Sequence, residues 1–311
     1  MVILLLNSIE LVNKLNDKGV EFCEISKEQA IHYLEEHNYY VKVSSYRHNF
    51  KKDEKGKYKD LDFFHLKDLS TIDMHLKFLI LKTILNLEHS LKVNLLKSIE
   101  NNGLDDVNLT LEFLDSLGNN KGDTGYNIKK ELYGRRGKGY VGNLLDKFTH
   151  PNYPIWTFVE VISFGTLVKF IKFYVENYED SFADCDILFR VRDIRNASAH
   201  SNCLIHNLPD KREYYLDGIY KFLKNNLDEY NGVFIKRKLR NLFIHDFICL
   251  LYAFNLYVKS DEIKTHRFKE IKEFFDIRVI RNKDKYEKNK ILIDDYKFVK
   301  KVIDLFCDNA I

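Results

Sequence analysis

Proline is the scarcest residue type relative to expectation. Ordinary usage of about 5% would place roughly 16 in a chain of this length, and the 311 residues hold 3. Glycine is thin as well, at 13, where about 7% usage would give roughly 22. Sandwiches, barrels and proline-rich linkers are built from such residues and are excluded as the main architecture. The five cysteines, Cys23, Cys185, Cys203, Cys249 and Cys307, are odd in number, far apart and without a C-x-x-C pair, which argues against a disulfide framework or a structural zinc site. Long apolar runs are missing too. Val2 to Leu6 is the opening run, no Lys or Arg precedes Lys14 and no small-residue cleavage pattern follows, so it reads as neither a signal peptide nor a membrane span of about 20 residues. The expectation is a protein of the reducing cytoplasm with no membrane partner. An excess of one charge is also lacking: 49 Lys plus Arg face 46 Asp plus Glu, a net of +3, and the total by itself says nothing about nucleic acid. From Asn231 onward the balance is +6, against −3 before it; such an asymmetry is ordinarily a solvated surface.

What is present points to helices. Apolar residues make up 45%, aromatics 14% and charged residues 31%, which excludes disorder over most of the length. The length suits one large domain or two closely joined ones. Ser8 to Asn16 and Ser26 to His37 each start at a plausible N-cap. The strongest signal is Leu66 to Ile99, where Ile72, Leu76, Ile80, Leu87, Leu91, Leu95 and Ile99 form a long apolar stripe; unbroken, such a helix would run about 50 Å. Further helices are expected at Leu104–Leu117, Ile155–Asn177, Asp184–Ser201, Tyr214–Asn225, Leu239–Tyr257, near Phe268 and at Asp294–Asp308. No fixed-period repeat and no strand-like alternation stand out. The predicted class is all-α, in three consecutive parts: an N-terminal helical module at 1–60, a helical bundle at 61–225 and a basic C-terminal helical region at 226–311.

Two stretches carry candidate chemistry. Between Tyr126 and Tyr140 lie Lys129, Lys130, Arg135, Arg136 and Lys138 among tyrosines and the glycines 134, 137 and 139. Basic side chains can neutralise phosphates and tyrosines can stack on unpaired bases, as in an RNA clamp; a solvated loop between helices is the equal alternative. The second stretch runs from Leu188 to Asn207. On a helix Leu188, Val191, Ile194 and Ser198 share one side, while Asn196 and His200 lie about 40° apart and Arg195 and His200 about 140° apart at about 100° per residue. An imidazole can take the proton of a ribose 2′-hydroxyl or protonate a leaving oxygen, and a guanidinium can hold the phosphate whose charge grows in the transition state. Because Arg195 and His200 diverge, two copies opposed across a two-fold axis are the simplest way to bring such groups onto one phosphate, which predicts a homodimer. A structural His200 bonded to a neighbouring carbonyl is the plainer alternative.

Arg195-Asn196-Ala197-Ser198-Ala199-His200 resembles the R-x4-6-H signature of HEPN ribonuclease domains, in the R-N-x-x-A-H form of the abortive-infection (Abi, AbiD/AbiF-like) family. Pro154-Ile155-Trp156, Glu160 and Ser163-Phe164-Gly165-Thr166-Leu167 resemble that family's P-x-W…E…S-F-G-x-L segment. The N-terminal pattern through Asn38-Tyr39-Tyr40, Tyr46 and Phe50 and the long helix with Glu88 add two further matches, together covering roughly residues 10 to 210 in order. The resemblance implies a HEPN-type helical bundle with the N-terminal module and C-terminal extension around it, and a composite Arg/His site in a homodimer. It also implies phage-defence or toxin-like endoribonuclease activity without metal or other cofactor. Some family members associate with small structured non-coding RNAs, so a protein that holds such an RNA without cutting it is the alternative. Carried over, His200 is the general acid/base, Arg195 the phosphate-stabilising group and Asn196 the orienting residue. Arg192, Lys129, Lys130, Arg135, Arg136 and Lys138 are candidate RNA contacts, and Glu88 is a supporting residue expected to pair with Arg195 or Arg192. Family members often carry an arginine three or four residues after the histidine, where this chain has Cys203 and Leu204. No G-x-x-x-x-G-K-[ST] loop or H-E-x-x-H motif occurs. Asp184, Asp186, Asp294 and Asp295 read as capping or solvated carboxylates, His206 as lying past the helix, and Trp156 as a core anchor.

Overall fold

The structure is a computed structural model, and it describes residues 6–178 and 181–308; the apolar run beginning at Val2 lies, but for Leu6, outside them. Among the described residues are fifteen α-helices and no strand, only isolated bridges of Glu21 with Asp62 and Lys52 with Tyr58. In chain order the helices are α1 (Ser8–Asp17), α2 (Lys27–Glu36), α3 (Tyr40–Ser45), α4 (Phe63–Asn101), α5 (Asp106–Ser116), α6 (Thr124–Arg135), α7 (Gly142–Leu145) and α8 (Ile155–Val161). They continue as α9 (Phe164–Asn177), α10 (Cys185–Ala199), α11 (Asp217–Asn226), α12 (Gly232–Leu239), α13 (Leu242–Tyr257), α14 (Asp261–Glu273) and α15 (Lys290–Asp308). A π-helical turn, Phe274–Val279, follows α14. The all-α class predicted from the sequence is thus the observed one. Among the described residues no helix is long and apolar enough to cross a membrane.

The described residues fall into two compact units, one drawn from Met1–Ile84, Asp193–Leu256 and Ser260–Ile311, the other from Leu85–Arg192 and Tyr257–Lys259. These units follow packing in space and are a different description from three consecutive sequence segments. In the first, α1 and α2 begin at capping boxes, Asn7 with Glu10 and Ser26 with Gln29, each satisfying two amide groups that a helix start leaves without partners. Its centre is α13, where Phe247, Ile248, Cys249, Leu250, Leu251, Ala253 and Phe254 are all buried, as befits a helix apolar on every side. α15 is the amphipathic counterpart: Phe298, Val299, Val302, Ile303 and Phe306 recur at helical spacing and are buried. Phe306 stacks between Phe222 and Phe268 at centroid distances of 5.5 Å. In the second unit Phe113, Phe158 and Phe170 pack edge to face at 4.9 to 5.9 Å. The Tyr174 hydroxyl there meets Ser98 Oγ at 3.0 Å and accepts from Asn102 Nδ2 at 2.6 Å.

The structure departs from the sequence reading at several points of the fold. The stretch 155–177 is two helices, because Ile162 turns to extended backbone and Ser163 caps α9 by accepting from the Thr166 amide. Most of the stretch read as a glycine-broken loop from Tyr126 to Tyr140 is α6: Ile128 and Leu132, one turn apart, are buried and hold it, while Gly137 and Gly139, at φ 63° and 61°, come after its end. Trp156 is 47% exposed rather than a core anchor, since Ile155, Phe158, Val159 and Val161 fill the inner face of α8; its ring makes a T-shaped contact with Phe148 at 5.5 Å. Asp295 is buried inside α15 and ion-paired with Lys238, rather than solvated.

Candidate functional site

α10 orients the candidate catalytic residues through its apolar face. Leu188, Val191, Ile194 and Ser198 are buried, so Arg195 and Asn196 are left half-buried and His200 exposed. The Arg195 guanidinium donates from Nη1 to Asn196 Oδ1 at 3.3 Å. Among the described residues no hydrogen bond or ion pair joins Arg195 to His200, in keeping with their divergence around the helix, and the His200 ring makes no hydrogen bond. The helix ends on a Schellman pair: the Asn202 amide donates to Ala197 O at 2.8 Å and the Ser201 amide to Ser198 O at 3.0 Å. Ser201 sits at φ 55°, a left-handed position that costs a residue with a Cβ about 1–2 kcal/mol. His200 is therefore the last residue before a sharp, enforced change of chain direction.

The loop beyond that turn is fastened to α4 by a residue the sequence reading did not single out. Asp73, fully buried, accepts from the Leu204 amide at 3.1 Å and the Ile205 amide at 3.3 Å. It also accepts from the Tyr46 hydroxyl at 2.7 Å and Lys77 Nζ at 2.9 Å, and Lys77 in turn reaches Asn202 O at 3.2 Å. Burial, and after it the Asp73 charge, push the Tyr46 phenol well above its ordinary pKa, so it stays a donor. Asn49 holds the next turn, donating to Ile205 O at 2.7 Å and accepting from the Leu208 amide at 2.8 Å. Leu204 serves through its backbone, and Cys203 Sγ lies 3.8 Å from Lys42 O. A signal for Asp73 exists in the sequence: a carboxylate between the stripe positions Ile72 and Leu76, with a lysine one turn on, is a charge pair on the core side of a helix.

The other candidates belong to the second unit. Glu88, expected beside an arginine of α10, pairs instead with Lys92 at 3.5 Å, one turn along the same helix, and Lys92 also reaches Glu160 at 3.6 Å. The lysine that bridges two motif carboxylates is a further residue the sequence reading missed. The Arg192 guanidinium lies over the Phe189 ring at 4.8 Å, with Gly165 against its stem; a Cβ there would stand 3.7 Å from Arg192 Cδ, an ordinary contact. Of the basic residues after Tyr126, Lys129 pairs with Asp115 at 2.7 Å, Arg135 with Glu131, and Arg136 with Asp146 at 3.3 Å. Arg135 Nη1 also donates to Val161 O at 2.5 Å. Lys130 and Lys138 are exposed, as are Tyr133 and Tyr140. Among the described residues no group of three His, Cys, Asp or Glu side chains is arranged to hold a metal ion. Burial pushes the thiols of Cys185 and Cys307 up to about 11, so neither is a ready nucleophile.

Fold and site together define an all-α protein whose candidate chemistry sits at a fastened helix end. A family model described as Abi-like protein matches residues 32–206, a span that runs from α2 through His200 to the loop held by Asp73. The chain belongs to the Abi-like protein family. No curated protein and no solved structure matches it.

Proposed function

We propose that this protein is a phage-defence endoribonuclease of the HEPN type that cuts RNA without a metal ion, at a site composed of Arg195, Asn196 and His200 from two copies of the chain. One observation carries the reading: an exposed imidazole without a hydrogen-bond partner among the described residues stands at a helix end that Asp73 and Asn49 tie down from behind. A structural histidine would be bonded to its surroundings; this one is presented. In the reaction one imidazole takes the 2′-hydroxyl proton, the 2′-oxygen attacks the adjacent phosphorus, and the bond to the 5′-oxygen breaks. A protonated imidazole from the other copy supplies the proton to that oxygen, leaving a 2′,3′-cyclic phosphate and a 5′-hydroxyl. Arg195 stabilises the charge on the phosphoryl oxygens, and Asn196 holds the guanidinium.

The test is cleavage of labelled single-stranded RNA by the purified full chain, with and without EDTA, alongside His200→Ala and sedimentation of the wild type. Cleavage that survives His200→Ala, or that vanishes with EDTA, would overturn the mechanism; a strict monomer that cleaves would overturn the composite site. A second reading, an RNA-binding protein that does not cut, is favoured by the exposed Lys130, Lys138, Tyr133, Tyr140 and Trp156 of the second unit, which combine cations with aromatic faces able to stack on bases. Sequencing RNA that co-purifies with the wild type and with His200→Ala separates the two: fragments ending in cyclic phosphate only with the wild type support cleavage, and identical intact RNA in both supports holding.

A further inference from the structure

The first unit gathers a cluster of cations from separate places in the chain. Tyr58 brings two of them together. Its amide donates to Lys18 O at 2.8 Å, and it forms an isolated antiparallel bridge with Lys52, whose Nζ lies over the Tyr58 ring at 5.0 Å. Arg47 and His48 belong to the 3-10 turn Tyr46–Asn49, and the Arg47 guanidinium is steadied there by donating to Ser44 O. The same turn meets the loop after His200 through Asn49, which binds Ile205 O at 2.7 Å and the Leu208 amide at 2.8 Å, on either side of His206. Lys14, His48, Lys52 and His206 are exposed, and Lys18 and Arg47 are half-buried.

The positive charge of this cluster is not offset by carboxylates. Among the described residues no ion pair engages Lys14, Lys18, Arg47 or Lys52, whereas Lys285 and Lys288 of the same unit are paired with Glu24 and Asp60. Asp53, next to Lys52, spends its Oδ1 on the Lys55 and Lys57 amides. Burial, and after it the charges of Arg47, Lys14 and Lys52, lower the pKa of Lys18. Burial again, and then Arg47, His206, Lys52 and Lys18, lower that of His48. Like charges held this close repel one another, and an anion set among them relieves the repulsion. The cations come from α1, from the 3-10 turn, from the loop at Lys52 and from the loop after His200, so a chain with one negative charge per link suits them better than a single small anion. His206 is six residues past His200, a span of at most about 20 Å, so one strand can reach both.

We propose that Lys14, Lys18, Arg47, His48, Lys52 and His206 hold the phosphodiester backbone of an RNA strand whose scissile phosphate lies at His200, an inference that rests on the reading of His200 as part of an RNA-cleaving site. The test is fluorescence anisotropy of the full chain with a labelled single-stranded 2′-O-methyl oligoribonucleotide, which cannot be cut by 2′-hydroxyl attack, over a range of salt concentrations. The combined variant Lys18→Gln, Arg47→Gln, Lys52→Gln is expected to bind at least tenfold more weakly, with the salt slope reduced by about 2, at about 0.7 per phosphate contact on a single strand. The pair Lys14→Gln, Lys52→Gln, at exposed positions, is expected to lose at least threefold and about 1.4 of slope, and it decides the matter if the Arg47 variant does not fold. Lys221→Gln, Lys264→Gln, Lys301→Gln removes as much charge from lysines that are already paired with carboxylates and is expected to change affinity less than threefold. A wild type that does not bind the oligonucleotide, cluster variants that keep its affinity and slope, an equal loss in the control variant, or cluster-dependent binding of phosphatidylglycerol vesicles in place of the oligonucleotide would each overturn the proposal. Cleavage of unmodified RNA is scored separately: cleavage with unchanged binding by the cluster variants overturns the track alone, and the expected binding losses without any cleavage overturn the reaction alone.

Discussion

The stretch from Leu188 to Asn207 and the segment from Tyr126 to Tyr140 are the two whose residues suggest RNA, and they use their polar groups in opposite ways. Behind His200 the polar groups are spent on the backbone: Asp73, Lys77, Tyr46 and Asn49 bind amides, carbonyls and one another, and the His200 ring is left exposed. In the basic segment the formal charges are conspicuous, yet Lys129, Arg135 and Arg136 are each engaged by a carboxylate. Charge counted along a chain is thus a poor measure of charge available to a phosphate. The His200 ring is exposed and makes no hydrogen bond among the described residues, whereas these cations already have partners.

Four experiments sharpen or break this contrast. The largest effect is expected from His200→Ala, which should lower RNA cleavage by about 10²–10⁴-fold, the usual range for loss of a general acid/base, with unchanged melting temperature because the ring is exposed; a fall in stability instead would make the histidine structural. Next is Asp73→Ala, which strands the buried Lys77 ammonium and two loop amides and should cost about 3–5 kcal/mol in urea unfolding. Tyr46→Phe, which removes only one donor to the same carboxylate, should cost about 1–3 kcal/mol. Equal losses for these two would mean that Asp73 is not the organising group. Among the basic residues, Lys138→Ala and Lys130→Ala should weaken RNA binding more than Lys129→Ala or Arg135→Ala. Removing a cation that neutralises one phosphate should also reduce the salt slope by about 0.7 for a single strand; the reverse order would show that the ion pairs open on binding. The smallest effect is expected from Ser201→Gly, a stabilisation of about 0.5–1 kcal/mol as the left-handed position is relieved, with cleavage unchanged.

Much of the fold was legible because helical periodicity is a local property. The helix expected at Leu66 to Ile99 matches α4 to within three residues at each end, and the buried face of α10 falls on the four positions its spacing implies. Errors came where a single residue interrupts a pattern or where exposure depends on a neighbour. Ser163 splits one expected helix into two by capping the second. Trp156, apolar and part of a motif, faces outward because four apolar companions on a seven-residue helix take the inner side. Asp295 sits among charged residues in the chain and is buried because Lys238, distant in sequence, meets it.

By itself the sequence determined the class of the protein, through scarce proline, long apolar stripes and capped helix starts, and residues 32–206 of it place the chain in the Abi-like protein family. Those follow from spacing along one chain. Only the tertiary structure decided which polar groups are free to act. Whether a carboxylate is solvated or buried, and whether a lysine is available or paired, depends on partners brought from far along the chain, as Asp73 meets Leu204 and Lys238 meets Asp295. Desolvation and pairing are set by that enclosure and by nothing local.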